Sequence, residues 1–124
     1  MGCAAVGLVA SKVEAQTSGG IKRTIIHKTE FPGDTYATLL VNVEIAPGFK
    51  VERHTHPGVE SAYVLDGGGR LTVKGQPDRE VKAGDGFQVP PETPHAFDGG
   101  GAPTRLAITY VVDKNKPLAS PAPE

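Results

Sequence analysis

Residues 38–45, Thr-Leu-Leu-Val-Asn-Val-Glu-Ile, settle in their second half into an alternation of apolar and polar side chains, the period of two expected of a strand with one buried face. That strand is read as residues 36–45. Residues 21–31 predict a preceding strand joined to it by Pro32-Gly33-Asp34, and Ala46-Pro47-Gly48 forms a corner that ends the pairing. Residues 51–56 and 60–65 read as two more strands. A turn at Asp66-Gly67-Gly68-Gly69 then sends residues 70–74 back as the other arm of a hairpin, so the middle of the chain reads as a β-meander. After Gly75-Gln76-Pro77-Asp78 come short strands at 80–82 and 86–89, then Pro90-Pro91. Residues 95–98 and 105–112, on either side of the Gly99-Gly100-Gly101 loop, complete the set. The pattern predicts an all-β domain of about eight to ten strands.

Composition narrows this picture. With 124 residues, of which 38% are hydrophobic, the chain can bury one core but not two. Its 16 glycines and 11 prolines punctuate short Val-, Ile-, Leu-, Thr- and Tyr-rich runs, as closely spaced strands and turns require. Acids and bases are interspersed and the formal net charge is −1, so no basic stripe is available to neutralise nucleic-acid phosphates. The single cysteine, Cys3, excludes an intrachain disulfide and a cysteine-based zinc cluster.

Three segments follow: residues 1–20, a central domain at 21–113, and a tail at 114–124. Residues 4–10 followed by Val13-Glu14-Ala15 look like the end of a secretory signal peptide, without the basic residues that should precede its apolar run. The alternative is an N-terminal strand added to the sheet edge of a second copy, which makes a homodimer the expected assembly. The location is accordingly read as either cytoplasmic or periplasmic after export. No apolar run reaches the ~20 residues of a membrane span. The tail, with three prolines and two lysines, predicts an extended segment that forms no packed strand.

One constellation carries chemistry. His54 and His56 are two residues apart, so on a strand both imidazoles leave the same face, and Glu60 follows a Pro57-Gly58 turn that can fold its carboxylate back towards them. Downstream, His95 offers a fourth ligand. Neutral imidazoles with one carboxylate suit borderline or hard divalent metals. Arg53, one residue from His54, should point away from this site, and Tyr36, Tyr63 and Tyr110 are expected in the core rather than in a pocket. His27 is expected to have no role. The glycine clusters at 67–69 and 99–101 lack a following helix and the Lys-Ser/Thr of a phosphate loop, so they read as turns.

Taken together, Gly48, His54, His56, Glu60 and Gly67, as G-x5-H-x-H-x3-E-x6-G, and Gly84, Pro90 and His95, as G-x5-P-x4-H, resemble the two motifs of the cupin superfamily. The first motif matches at every fixed position. The second departs at Glu92, where the family often has Gly, and at Gly99, where it often has Asn. The resemblance spans roughly residues 22–112 and implies a cupin barrel, a double-stranded β-helix or jelly roll. It also implies His54, His56, Glu60 and His95 as metal ligands. Fe, Mn or Ni would leave two octahedral positions open for ligands, whereas Zn or Cu is expected only as acquired during purification. The implied functions are an oxygen-dependent, dioxygenase-like oxidoreductase for a small carboxylate or enol, a non-redox lyase or isomerase of a small carboxylate or sugar acid, and a metal-dependent binding protein without turnover. The expected partner is a small-molecule substrate, with neither nucleic acid nor membrane.

Overall fold

The computed structural model describes residues 14–123, all of whose regular structure is β. Eleven strands run in order as β1 (Glu14–Ser18), β2 (Ile21–Thr29), β3 (Tyr36–Ile45), β4 (Lys50–Thr55), β5 (Gly58–Asp66), β6 (Gly68–Val73), β7 (Arg79–Lys82), β8 (Gly86–Val89), β9 (His95–Gly99), β10 (Thr104–Asp113) and β11 (Ser120–Pro121). Every pairing is antiparallel. One sheet has six strands in the order β1-β2-β3-β10-β5-β8, and the other has five in the order β11-β4-β9-β6-β7. The two sheets enclose the core, giving the jelly-roll barrel expected from the sequence. No helix among the described residues is long and apolar enough to cross a membrane.

Alternation decides which side chains fill the core. β3 buries Ala37, Leu39, Val41, Val43 and Ile45 while its intervening residues face out, and β10 answers with Leu106, Ile108, Tyr110 and Val112. Val64, Leu71, Val73, Val81, Val89 and Phe97 close the interior from the remaining strands. Of the three tyrosines expected inside, only Tyr110 is buried. Tyr36 and Tyr63 lie outside, 39% and 51% exposed, because their strands bury the opposite parity of residues.

Two sequence expectations need correction. β5 and β6 are not the arms of a hairpin: β5 pairs with β10 and β8, whereas β6 pairs with β9 and β7 in the other sheet. The glycine-rich turn is real, but Gly67, at φ +75°, carries the chain across from one sheet to the other. A tight turn fixes a change of direction and does not fix which sheet the next strand joins. The tail likewise contains a strand, since Ser120 and Pro121 pair with Thr55 and His54 of β4. Proline is admissible there because β11 is an edge strand.

At the N-terminus, residues 14–18 form β1 and pair with β2 of the same chain. Both readings of residues 4–10, as a signal remnant or as an exchanged strand, lie outside the described residues.

Candidate metal centre

β4 presents its histidines inward by a change of parity. Val51 is buried in the core and His54, three residues on, also faces the interior, which uninterrupted alternation forbids. The pairing of β4 with β9 shifts register between Val51 and His54, and this bulge turns His54 and His56 to the core side. The chain then crosses between sheets at Pro57 rather than making a hairpin turn. β5 therefore opens at Gly58 and brings Glu60 in from the facing sheet. His95, the first residue of β9, lies opposite His54 in the ladder.

The three imidazoles form a compact cluster, with ring centroids 4.2–4.9 Å apart. One nitrogen from each lies within 4.8 Å of one from each of the others, a spacing that can hold a metal ion. Glu60 Oε1 is 3.1 Å from Nε2 of both His56 and His95. The spacing of residues in the sequence and their convergence in the barrel thus bring together His54, His56, Glu60 and His95. His27, by contrast, is exposed on β2, and Arg53 does not line the cavity that holds the cluster.

Each ring is oriented by its other nitrogen. Nδ1 of His54 meets the Glu52 carbonyl at 2.6 Å, Nδ1 of His56 the Leu118 carbonyl at 2.7 Å, and Nδ1 of His95 the Thr93 carbonyl at 2.8 Å. A carbonyl only accepts, so each Nδ1 carries the hydrogen and donates it, and each neutral ring turns a lone pair on Nε2 inward. Two such lone pairs face one oxygen of the Glu60 carboxylate, Oε1, an arrangement that is repulsive unless a cation, a proton or a metal, sits between them. His56 is 2% exposed, and its Nε2 has no hydrogen-bond partner despite its contact with Glu60. A buried nitrogen left in this state, within a set of three soft-to-borderline donors and one hard anion, fits a divalent metal.

The electrostatics agree. Burial lowers the His54 pKa to about 4, helped by the positive charge that His95 and His56 would carry. Burial pushes Glu60 upward, but when a second proton sits on Nε2 of His56 or His95 the hydrogen bonds and charge of those rings outweigh it and hold the carboxyl well below its usual range. Near neutral pH, then, His54 is neutral and Glu60 ionised, as ligands must be.

A stability prediction follows. Between pH 6.5 and about 4 the unfolded chain protonates His54 and the folded one does not, and between pH 4.5 and about 2 the same holds for Glu60. Stability of the metal-free protein should therefore fall as pH drops below 6.5, by up to about 1.4 kcal/mol per pH unit for each such proton. Denaturant titrations of chelator-treated protein at pH 7, 5.5 and 4.5 measure this, and equal stability at all three would contradict the assigned protonation states.

The cluster opens on a cavity of about 40 Å³, whose lining includes Val43, Ile45, Val51, Leu71, Phe87, Phe97, Leu106 and Ile108. Tyr110 also lines it and packs against the His56 ring at 4.8 Å between centroids. Burial and the Glu60 charge push its hydroxyl upward, so it stays protonated. Arg23 of β2 completes the polar lining. Sequence reasoning missed it, although a signal existed: Ile21-x-Arg23-x-Ile25 puts a cation where alternation calls for an apolar side chain. The second motif's departure at Glu92 also has a structural counterpart. That residue has φ +56°, the left-handed region where glycine is at ease, and its N–H donates to the His56 carbonyl at 2.9 Å.

Comparison with known proteins places these features in context. The family model described as Cupin domain matches residues 41–112. An uncharacterized protein of Methanocaldococcus jannaschii is 31% identical over 90 residues, covering 71% of this chain and 70% of that protein. Among solved structures, an RmlC-like cupin from Shewanella frigidimarina superposes with a TM-score of 0.64 at 22% identity, over 86% of this chain and 87% of that one. The polyketide cyclase RemF from Streptomyces resistomycificus gives 0.68 at 19% identity, over 93% and 83%. At these identities the superpositions speak for the fold alone.

Proposed function

The chain belongs to the cupin family, and from that premise we propose that it binds one divalent transition metal through His54, His56, Glu60 and His95 and uses it as an oxygen-dependent oxidoreductase on a small carboxylate or enol. The observation that carries the metal is the set of three Nδ1-anchored rings whose remaining nitrogens converge near one ionised carboxylate. Held by these residues, Fe, Mn or Ni would supply Lewis acidity and, if redox-active, one-electron chemistry with dioxygen.

The choice of reaction class rests on what else lines the cavity. A lyase or isomerase needs a base near the substrate that is not itself tied up as a ligand. Apart from the proposed ligands, the titratable groups lining the cavity are Arg23 and Tyr110, and neither accepts a proton readily at neutral pH. Chemistry driven by the metal and oxygen makes no such demand. The largely apolar wall suits a compact substrate body.

The test is elemental analysis of the purified protein together with oxygen consumption on a panel of small carboxylates and enols. Oxygen uptake that depends on Fe or Mn supports the reading, and turnover without oxygen uptake replaces it with the non-redox class. Glu60→Gln removes the one anionic ligand and should weaken metal binding by more than the roughly 10–100-fold typical of changes behind the ligands. It should also shift metal preference. Competition with a chelator of known affinity reads both effects, and an unchanged affinity removes Glu60 from the ligand set.

A further inference from the structure

Arg23 stands in a row of inward-facing residues. On β2 it lies between Ile21 and Ile25, and across the ladder these three oppose Ile45, Val43 and Val41 of β3, all of them buried in the core. An arginine in such a row gives up much of its hydration, which is costly unless the charge meets a partner. Among the described residues it has no carboxylate partner: none of the ion pairs involves Arg23, and Glu60 is engaged with His56 and His95. Its Nε is fully buried and has no hydrogen-bond partner. The guanidinium approaches Tyr110, whose hydroxyl is neutral and leaves the positive charge uncompensated. The side chain nevertheless lines the same cavity as His54, His95 and Glu60.

We propose that Arg23 is the anion-binding residue of this cavity, gripping a carboxylate of the substrate while another oxygen of the same molecule faces the histidine cluster. The inference rests on the metal-centre reading above and adds the substrate's charge and size to it. A guanidinium presents parallel N–H donors that match a carboxylate in two-pronged fashion, and a buried Nε–H without a partner is one of those donors. Charge bookkeeping points the same way. Three neutral imidazoles, one Glu60 carboxylate, one Arg23 guanidinium and a divalent ion sum to +2, so the loaded cavity favours an anion and is neutralised by a dianion. Size sets the other limit. The cavity beside the cluster measures about 40 Å³, so the substrate class is a compact acid.

The experiment uses the metal-loaded full chain, with oxalate and malonate as probes and their neutral diamides as controls, titrated by calorimetry with metal content measured in parallel. In the native protein the diacids should bind at least 10-fold more tightly than the diamides. Arg23→Met should weaken diacid binding about 10-fold or more, and so shrink that preference, while metal content stays unchanged, and Arg23→Lys, which keeps the charge and loses the fork, should fall between. If the Met variant does not fold, Arg23→Gln retains length and polarity and should show the same loss. Equal diacid affinity in the native protein and the neutral variants overturns the proposal, as does a native protein that binds none of the diacids. A native protein that takes up no divalent metal overturns the metal-centre reading instead. Titrating that metal-free protein still decides the role of Arg23, since a diacid preference lost in the neutral variants upholds it and no preference refutes it.

Discussion

His56→Ala is expected to yield protein without stoichiometric metal, even when refolded or dialysed with excess Fe, Mn or Ni. His56 is the ligand candidate with the least freedom: it is 2% exposed, its Nδ1 is fixed by the Leu118 carbonyl, its ring packs on Tyr110, and its Nε2 is buried without a hydrogen bond. Removing the ring leaves two imidazoles and a carboxylate, and it opens a void that a water molecule can enter. It also orphans the Leu118 carbonyl, at a cost of about 1–3 kcal/mol. The fold should survive with a lowered melting temperature, while metal falls to a small fraction of an equivalent. The exposed His27 supplies the control, because His27→Ala should keep the full equivalent. Elemental analysis that found undiminished metal in the His56 variant would show that the ion, if present, is held elsewhere.

Gly58→Ala should be among the most damaging single-methyl changes for stability. Gly58 opens β5 opposite Val112 of β10. A Cβ there would run into the Val111 carbonyl oxygen and come within 2.6 Å of the Val112 Cα. Both obstacles are backbone, in a strand paired on both sides, so no side chain can swing away to relieve them. Separating β5 from β10 would also move Glu60, two residues further on. Overpacking of this kind costs about 3 kcal/mol, which in a domain of this size lowers Tm by more than ~10 °C. Gly101→Ala, where an added Cβ meets nothing within 4 Å, should leave Tm within a few degrees. A thermal melt of Gly58→Ala within that same margin would refute the steric account.

These two positions illustrate what could be read from the chain. The ligand candidates were legible because their geometry is short-range: His-x-His fixes two rings on one face of β4, and Glu60 and His95 stand at set distances along the sequence. The alternation on β3 was equally legible, since period-two burial is written into the order of residues. Gly58 was read as a turn glycine, however, because nothing in Pro57-Gly58-Val59 tells of a carbonyl more than fifty residues away that leaves no room for a side chain. The partition of β5 and β6 between sheets was hidden for the same reason. Sheet membership is decided by partners distant in sequence, and a glycine-rich turn serves a hairpin and a crossing alike. Arg23 was visible only as an anomaly in an apolar row, which acquires meaning once the row is known to face a cavity.

The Leu118 carbonyl lies 62 residues from the ring it fixes, and it belongs to neither motif. It also lies beyond the stretch 41–112 that the family shares, as does Arg23 on the other side. A chain trimmed to that stretch would retain all four proposed ligands and lose both the carbonyl that aims His56 and the cation in the cavity wall. On the proposed reading the barrel divides its labour along the chain: the shared middle would supply the capacity to hold an ion, while the flanks would set how firmly one ring is aimed and which charge is welcome beside it. Such a division lets the flanking segments drift or be exchanged without disturbing ligand spacing, which is one physical route by which a single barrel plan can be retuned for different small molecules.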